Sequence, residues 1–105
     1  MWGSPEAILH RVAHSYGVGV AELCRPTRRP SEARQVAIYG LRRWAGLGLS
    51  AIGHQMGLSY SAVSRRVSAV VQRLRAERRF RGRLARLAES QAAQVVKSRP
   101  DPIGL

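Results

Sequence analysis

Residues 47–74 read LGLSAIGHQMGLSYSAVSRRVSAVVQRL, and this stretch decides the fold. It has the grammar of a short helix, a tight turn and a longer helix, which is that of a helix-turn-helix. Ser50 is expected as the N-cap of the first helix, with Ala51, Ile52 and Met56 as its apolar side. Gly57 stops that helix at the position favoured for a left-handed C-cap, and Leu58 fills the turn. Ser59 then caps a second helix. Stepping about 100° per residue, Val63, Val67, Val70 and Leu74 share one side, which is core. Ser61, Ser64, Arg65, Ser68 and Gln72 project roughly opposite, a stripe of hydroxyls, an amide and a guanidinium that contains no acid. Small polar residues on a helix commonly just face water. Here the stripe opens at a capped N-terminus after a short helix, in a strongly basic chain, and that combination suits a groove of nucleic acid.

The charge balance supports the same direction. Among 105 residues, 18 are Lys or Arg and six are Asp or Glu, a formal net charge of +12. Such an excess implies an anionic partner, either nucleic acid or an anionic membrane surface. Seventeen of the cations are arginine, whose planar fork suits phosphates and guanine edges. The length predicts one domain with a modest core of three to five helices and no independent catalytic cleft. Cys24 is the single cysteine, so neither a disulfide framework nor a cysteine-built metal site is expected, and it reads as a small buried hydrophobe. No apolar run approaches bilayer-spanning length, and MWGSPEAI lacks the features of a signal peptide, so a cytoplasmic, nucleoid-associated protein is expected.

Upstream, Ser4 and Pro5 predict a helix start, with Ile8, Leu9, Val12, Ala13 and Tyr16 at helical spacing and Gly17 as the stop. His10 and His14 lie one turn apart, but without a suitable third ligand they read as a structural or solvated pair, and no metal is expected. Residues 18–23 form a short helix or turn that contributes Val20 and Leu23 to the core. Arg25-Pro26-Thr27-Arg28-Arg29-Pro30 is a proline-bounded basic loop, read as a phosphate or minor-groove contact, with a solvated loop as the alternative. Ser31 caps a third helix whose inner face is Ala37, Ile38, Leu41, Trp44 and Ala45. At its start, Arg34 and Gln35 can reach a phosphate near the loop. Arg42 and Arg43 read as solvated.

Beyond Leu74, RAERRFRGRLARLAESQAAQVV is a basic amphipathic helix, expected to bend near Gly82, with Phe80, Leu84, Leu87, Ala88, Gln91 and Val95 on one side. That side folds back on the core or serves a dimer or an anionic membrane, the last weakened because Phe80 is its only aromatic anchor. The organisation expected is a DNA-binding unit over residues 4–78, the basic helix over 79–97 and a disordered tail over 98–105.

In these residues, the segment from about Ile8 to Leu74 resembles the C-terminal DNA-binding domain of the bacterial replication initiator DnaA. The resemblance rests on a first helix ending in YGV, an AEL turn, the basic loop, and ARQVAIYGLRRWAGLGLSAIG. It implies an all-α helix-turn-helix bundle of about five to six helices. It also implies that Arg28 and Arg29 match the family's basic loop, and Arg34 and Gln35 its backbone-contacting residues. Tyr60, Ser61 and Arg65 stand where the family reads bases. The initiators open that helix with an Asp-His-Thr-type run after a Gly-Gly-Arg-like turn, whereas this chain has Gly57-Leu58-Ser59-Tyr60-Ser61-Ala62 and is one residue shorter. The SYSAVS variant looks more like the initiator-type domains appended to repeat-associated tyrosine transposases, although no nuclease element is present. A Gly-rich phosphate loop is also missing, so ATP chemistry is not expected of this chain.

The six acids are scattered, and no Ser, His or Cys arrangement suggests nucleophilic catalysis, so the chain reads as a binding module with no catalytic residues and no cofactor. The partner expected is double-stranded DNA, with no membrane, and a homodimer or a larger parent protein stays open. Tyr60, Ser61, Ser64 and Arg65 are expected at base edges. Tyr60 takes a phosphate or a thymine methyl, with partial burial as its alternative. Arg25, Arg28, Arg29, Arg34, Gln35, Ser59, Arg66 and Ser68 are expected at the backbone. The competing readings are an RNA or structured single-strand binder, weakened because Tyr60 is the only aromatic placed to stack, and a protein-interaction module built on the C-terminal helix.

Overall fold

Six helices and no strand make up the described residues of the computed structural model, which cover 4–25 and 31–98, with side chains as far as 89. The first helix, α1, runs Pro5–Tyr16. Ser4 caps it by accepting the Ala7 N–H at 3.2 Å, and Gly17 ends it in the left-handed region at φ 66°. After the short α2, Val20–Cys24, comes α3, Glu32–Arg43, where Ser31 Oγ accepts the Arg34 N–H at 3.2 Å. Helix α4 spans Leu49–Met56 and α5 spans Tyr60–Ala76. Helix α6 spans Arg78–Ser98. These caps were legible because each is a local bargain, in which a hydroxyl meets an orphan N–H or a glycine takes a left-handed φ.

Three local expectations are corrected. Ser50 is not the cap of α4: Gly48 takes the extended cap conformation at φ −69° and ψ 158°, without a side-chain bond, and Ser50 lies inside the helix. Ala51 is exposed, so Ile52 and Met56 carry the buried side. The C-terminal helix also does not bend at Gly82. The chain breaks at Glu77, whose backbone is extended at φ −116° and ψ 110°, and α6 continues helically across Gly82.

The core forms one cluster. Ile8, Val12, Leu23, Ile38, Leu41, Trp44, Ile52 and Val63 are all buried, as the periodicity predicts, while Val67 and Leu74 pack half-buried on its edge. Val36 joins them from α3. Helix α3 lies at the centre, in contact with α1, α2, α4 and α5, and α6 closes the bundle against α1 and α5. Phe80, Leu84 and Leu87 enter the same cluster, so α6 is part of the core. Cys24 is half-buried. The expected roles of Gln91 and Val95, and the tail, lie outside the described side chains.

A polar knot fastens α6. The Tyr16 hydroxyl donates to Glu32 Oε2 at 2.6 Å, Arg73 pairs with Glu32 at 2.7 Å, and Arg83 pairs with the same carboxylate. Arg73 also pairs with Glu77 at 2.9 Å and lies 4.1 Å over the Phe80 ring, so one guanidinium holds both sides of the break. Burial alone would raise the Glu32 pKa, but hydrogen bonds from Tyr16, Arg83 and Arg73 outweigh it and hold the carboxyl below its ordinary value. The Tyr16 hydroxyl is pushed up to about 12 by burial and by Glu32, so the proton stays on the phenol.

A carboxylate with a depressed folded-state pKa adds stability that is complete above its unfolded value of 4.5 and is lost as pH falls through the folded value. Glu32→Gln is therefore expected to lower the melting temperature by a few degrees near neutral pH, because the pairs are partly exposed and screened. Melts repeated below pH 4.5 should show the gap between variant and parent closing. A gap independent of pH would show that the carboxylate charge contributes nothing to the knot.

Candidate nucleic-acid interface

Ser59, at φ −73° and ψ 161°, accepts the Ala62 N–H at 3.2 Å and starts α5, whose first turn exposes Tyr60 and Ser61 and buries Val63. Before it, Gly57 ends α4 at φ 68°, and the Leu58 N–H closes the turn on the Gly53 carbonyl at 2.9 Å. That bond makes the turn tight enough to hold α4 across α5, which fixes the direction in which α5 presents its outer side. Helix α5 then divides by angle into three strips.

The inner strip, Val63, Val67, Val70 and Leu74, is the core side already described. The outer strip, Ser61, Arg65, Ser68 and Gln72, is exposed, and Ser64 is half-buried beside it. Tyr60 is 60% exposed, so the partial burial considered for it is not found. The third strip, Ala62, Arg66 and Ala69, faces the start of α3. With Gln35 and Arg65 it lines an open hollow between the two helices. Two alanines keep the hollow clear and two arginines and an amide furnish its donors. Arg66 Nε is buried there and has no hydrogen-bond partner among the described residues. A buried donor left unsatisfied is rare and costly, and an incoming phosphate oxygen would satisfy it.

Arg34 is a correction. Expected at a phosphate, it is only 2% exposed. Its two terminal nitrogens donate to the Leu23 carbonyl at 2.7 Å and to the Met56 carbonyl at 2.6 Å. Those carbonyls belong to the last turns of α2 and α4, where unsatisfied acceptors gather and the backbone carries partial negative charge. The guanidinium thus ties the root of the basic loop and the end of the first helix of the turn unit to α3. Burial lowers its pKa, and the like charge of Arg66 lowers it further. Its charge adds to the positive potential behind the hollow without meeting the solvent.

The remaining expected residues divide cleanly. Arg25 is exposed at the end of α2, and Ser59 and Ser68 are exposed on α5. Arg28 and Arg29 lie outside the described residues. His10 and His14 are both exposed. Ala62, Ala69 and the hollow they keep open were missed, although their spacing with Arg66 marks a strip of its own. No described helix is long and apolar enough to cross a membrane.

Residues 5–70 match the family model described as the bacterial dnaA protein helix-turn-helix. The chain is also similar to the chromosomal replication initiator protein DnaA of Thermomicrobium roseum, with 37% identity over 81 residues. That alignment covers 74% of this chain and 17% of the relative, so the chain spans less than a fifth of the initiator's length.

Proposed function

Because the chain belongs to the bacterial DnaA helix-turn-helix family, a family of DNA-binding modules, we propose that it binds double-stranded DNA sequence-specifically by laying α5 in the major groove. The observation that carries this reading is the acid-free outer strip of α5, which opens at a capped N-terminus and borders the Gln35, Arg65 and Arg66 hollow. Residues in the first two turns of such a helix reach base edges, and later ones approach the backbone. Tyr60, Ser61, Ser64 and Arg65 therefore take the bases. Gln35, Ser59, Arg66 and Ser68 take phosphates beside them, with Arg25, Arg28 and Arg29 on the loop side. The module acts by binding, without catalysis, as a replication-initiator-like or transposase-associated unit in the cytoplasmic nucleoid. Among the described residues Tyr60 is the only large exposed hydrophobic one, which gives no stacking platform there for single strands.

Arg65 is the residue on which base choice depends, because a guanidinium can bond guanine O6 and N7 together, worth about 1 to 3 kcal/mol against a wrong base. Selection from a random duplex pool would define the preferred site. Arg65→Ala should then weaken that site roughly tenfold or more while leaving random duplex nearly unchanged. Equal losses on both would make Arg65 a backbone contact and move specificity to the loop or to DNA shape.

A further inference from the structure

Helix α6 begins with a charge pattern that disfavours a helix on its own. Arg78, Arg79 and Arg81 occupy its start with no acid in the first turn, against the positive end of the macrodipole. Arg79, Arg83 and Arg86 follow at i, i+4 and i+7, where like charges on one side repel. What holds the helix is its buried side, Phe80, Leu84 and Leu87. The charged flank turns toward α1. There Arg83 and Arg86 meet Arg11, His14 and Ser15 across an open hollow of about 290 Å³, and no acid lines it among the described residues.

This hollow is distinct from the one beside α5, since no residue lines both. The Glu32 knot links them: Glu32 stands one turn before Gln35 on α3 and pairs with Arg83 of the hollow. Glu32 partly neutralises Arg73 and Arg83, but Arg11, Arg79 and Arg86 form no ion pair among the described residues. From Arg79 to Arg86 the flank runs about 10 Å at 1.5 Å per residue. That is roughly the rise of three phosphates along one strand of duplex DNA, at about 3.4 Å each. An anionic bilayer fits less well, because the described face of α6 exposes no large apolar side chain to anchor it.

We propose that the α1–α6 hollow, centred on Arg11 and Arg86, binds the phosphate backbone of a second duplex while α5 occupies the first. The chain then joins two DNA segments with one fold. The inference rests on the reading of α5 given above, and the experiment separates the two. An immobilised duplex carrying the selected site is loaded with protein, and a fluorescent random duplex is added at low salt. The parent should capture the second duplex, and Arg11→Gln with Arg86→Gln should reduce capture about tenfold by removing two phosphate contacts. Its affinity for the first duplex should change less than twofold. Arg65→Ala should show the reverse, with loading of the first duplex weakened.

Capture of the second duplex by the double variant as well as by the parent would overturn the proposal, since it would mean bridging by self-association or by the loop. A parent that binds the first duplex and never captures a second would overturn it too. A parent that binds neither duplex overturns the reading of α5 along with it. Both substituted positions lie on helices and glutamine is a good helix former, so circular dichroism should match the parent.

Discussion

Replacing Arg34 with methionine is expected to lower stability by roughly 2 to 5 kcal/mol, because two charge-assisted hydrogen bonds vanish together and leave buried acceptors behind. For a domain of this size that is a fall in melting temperature on the order of 10 °C. The Leu23 and Met56 carbonyls that lose their donors close α2 and α4, so the damage reaches both the root of the basic loop and the turn before α5. Affinity for duplex DNA should fall as a consequence of that loosening. Arg34→Lys should recover only part of the loss, since an ammonium is a compact charge and lacks a fork that spans two acceptors. Thermal melts without DNA decide between the two roles considered for Arg34. A surface phosphate contact would leave the melt unchanged and weaken only binding. A melt like the parent's would return Arg34 to the interface.

The burial of Arg34 has a signal in the sequence that the expectation of a phosphate contact passed over. It stands three residues before Ala37, four before Ile38 and seven before Leu41, in the middle of the inward side of α3. An arginine on such a face needs internal acceptors, and the ends of two neighbouring helices supply them. The periodicity marks an inward position, but nothing in it marks Leu23 and Met56, which arrive from 11 residues before it and 22 after. The capped starts of α1, α3 and α5 depend only on residues within one turn, and they were read correctly. The break at Glu77 depends on Phe80 docking under Arg73, a tertiary contact, so a glycine five residues later drew the expectation instead. The outer strip of α5 was read from period alone. The hollow beside it also needs Gln35 from another helix, which no pattern within α5 can announce.

Gly53 carries the other large effect, and ordinary helix propensity gives it the wrong sign. Alanine inside a helix is favoured over glycine by about 1 kcal/mol, so Gly53→Ala would stabilise α4 if the position were free. It is not free: a Cβ built there would lie 2.4 Å from the Leu58 carbonyl oxygen and 3.6 Å from Val63 Cγ2. The obstacle is backbone, and it belongs to the turn that aims α5. To admit the methyl group, Leu58 must move away, which breaks the Leu58 N–H bond to the Gly53 carbonyl and tilts α5 against α4. Overpacking of this kind costs roughly 3 kcal/mol, well above the gain in propensity. Gly53→Ala should therefore melt lower than the parent and bind its selected site more weakly than random duplex binding falls, since phosphate contacts tolerate a tilt that base contacts do not. Gly48→Ala, where a Cβ meets nothing within 4 Å, is the control and should leave base selectivity intact. A Gly53→Ala protein that melts higher and keeps its selectivity would show that the turn has room to spare and that the aim of α5 is set elsewhere in the bundle.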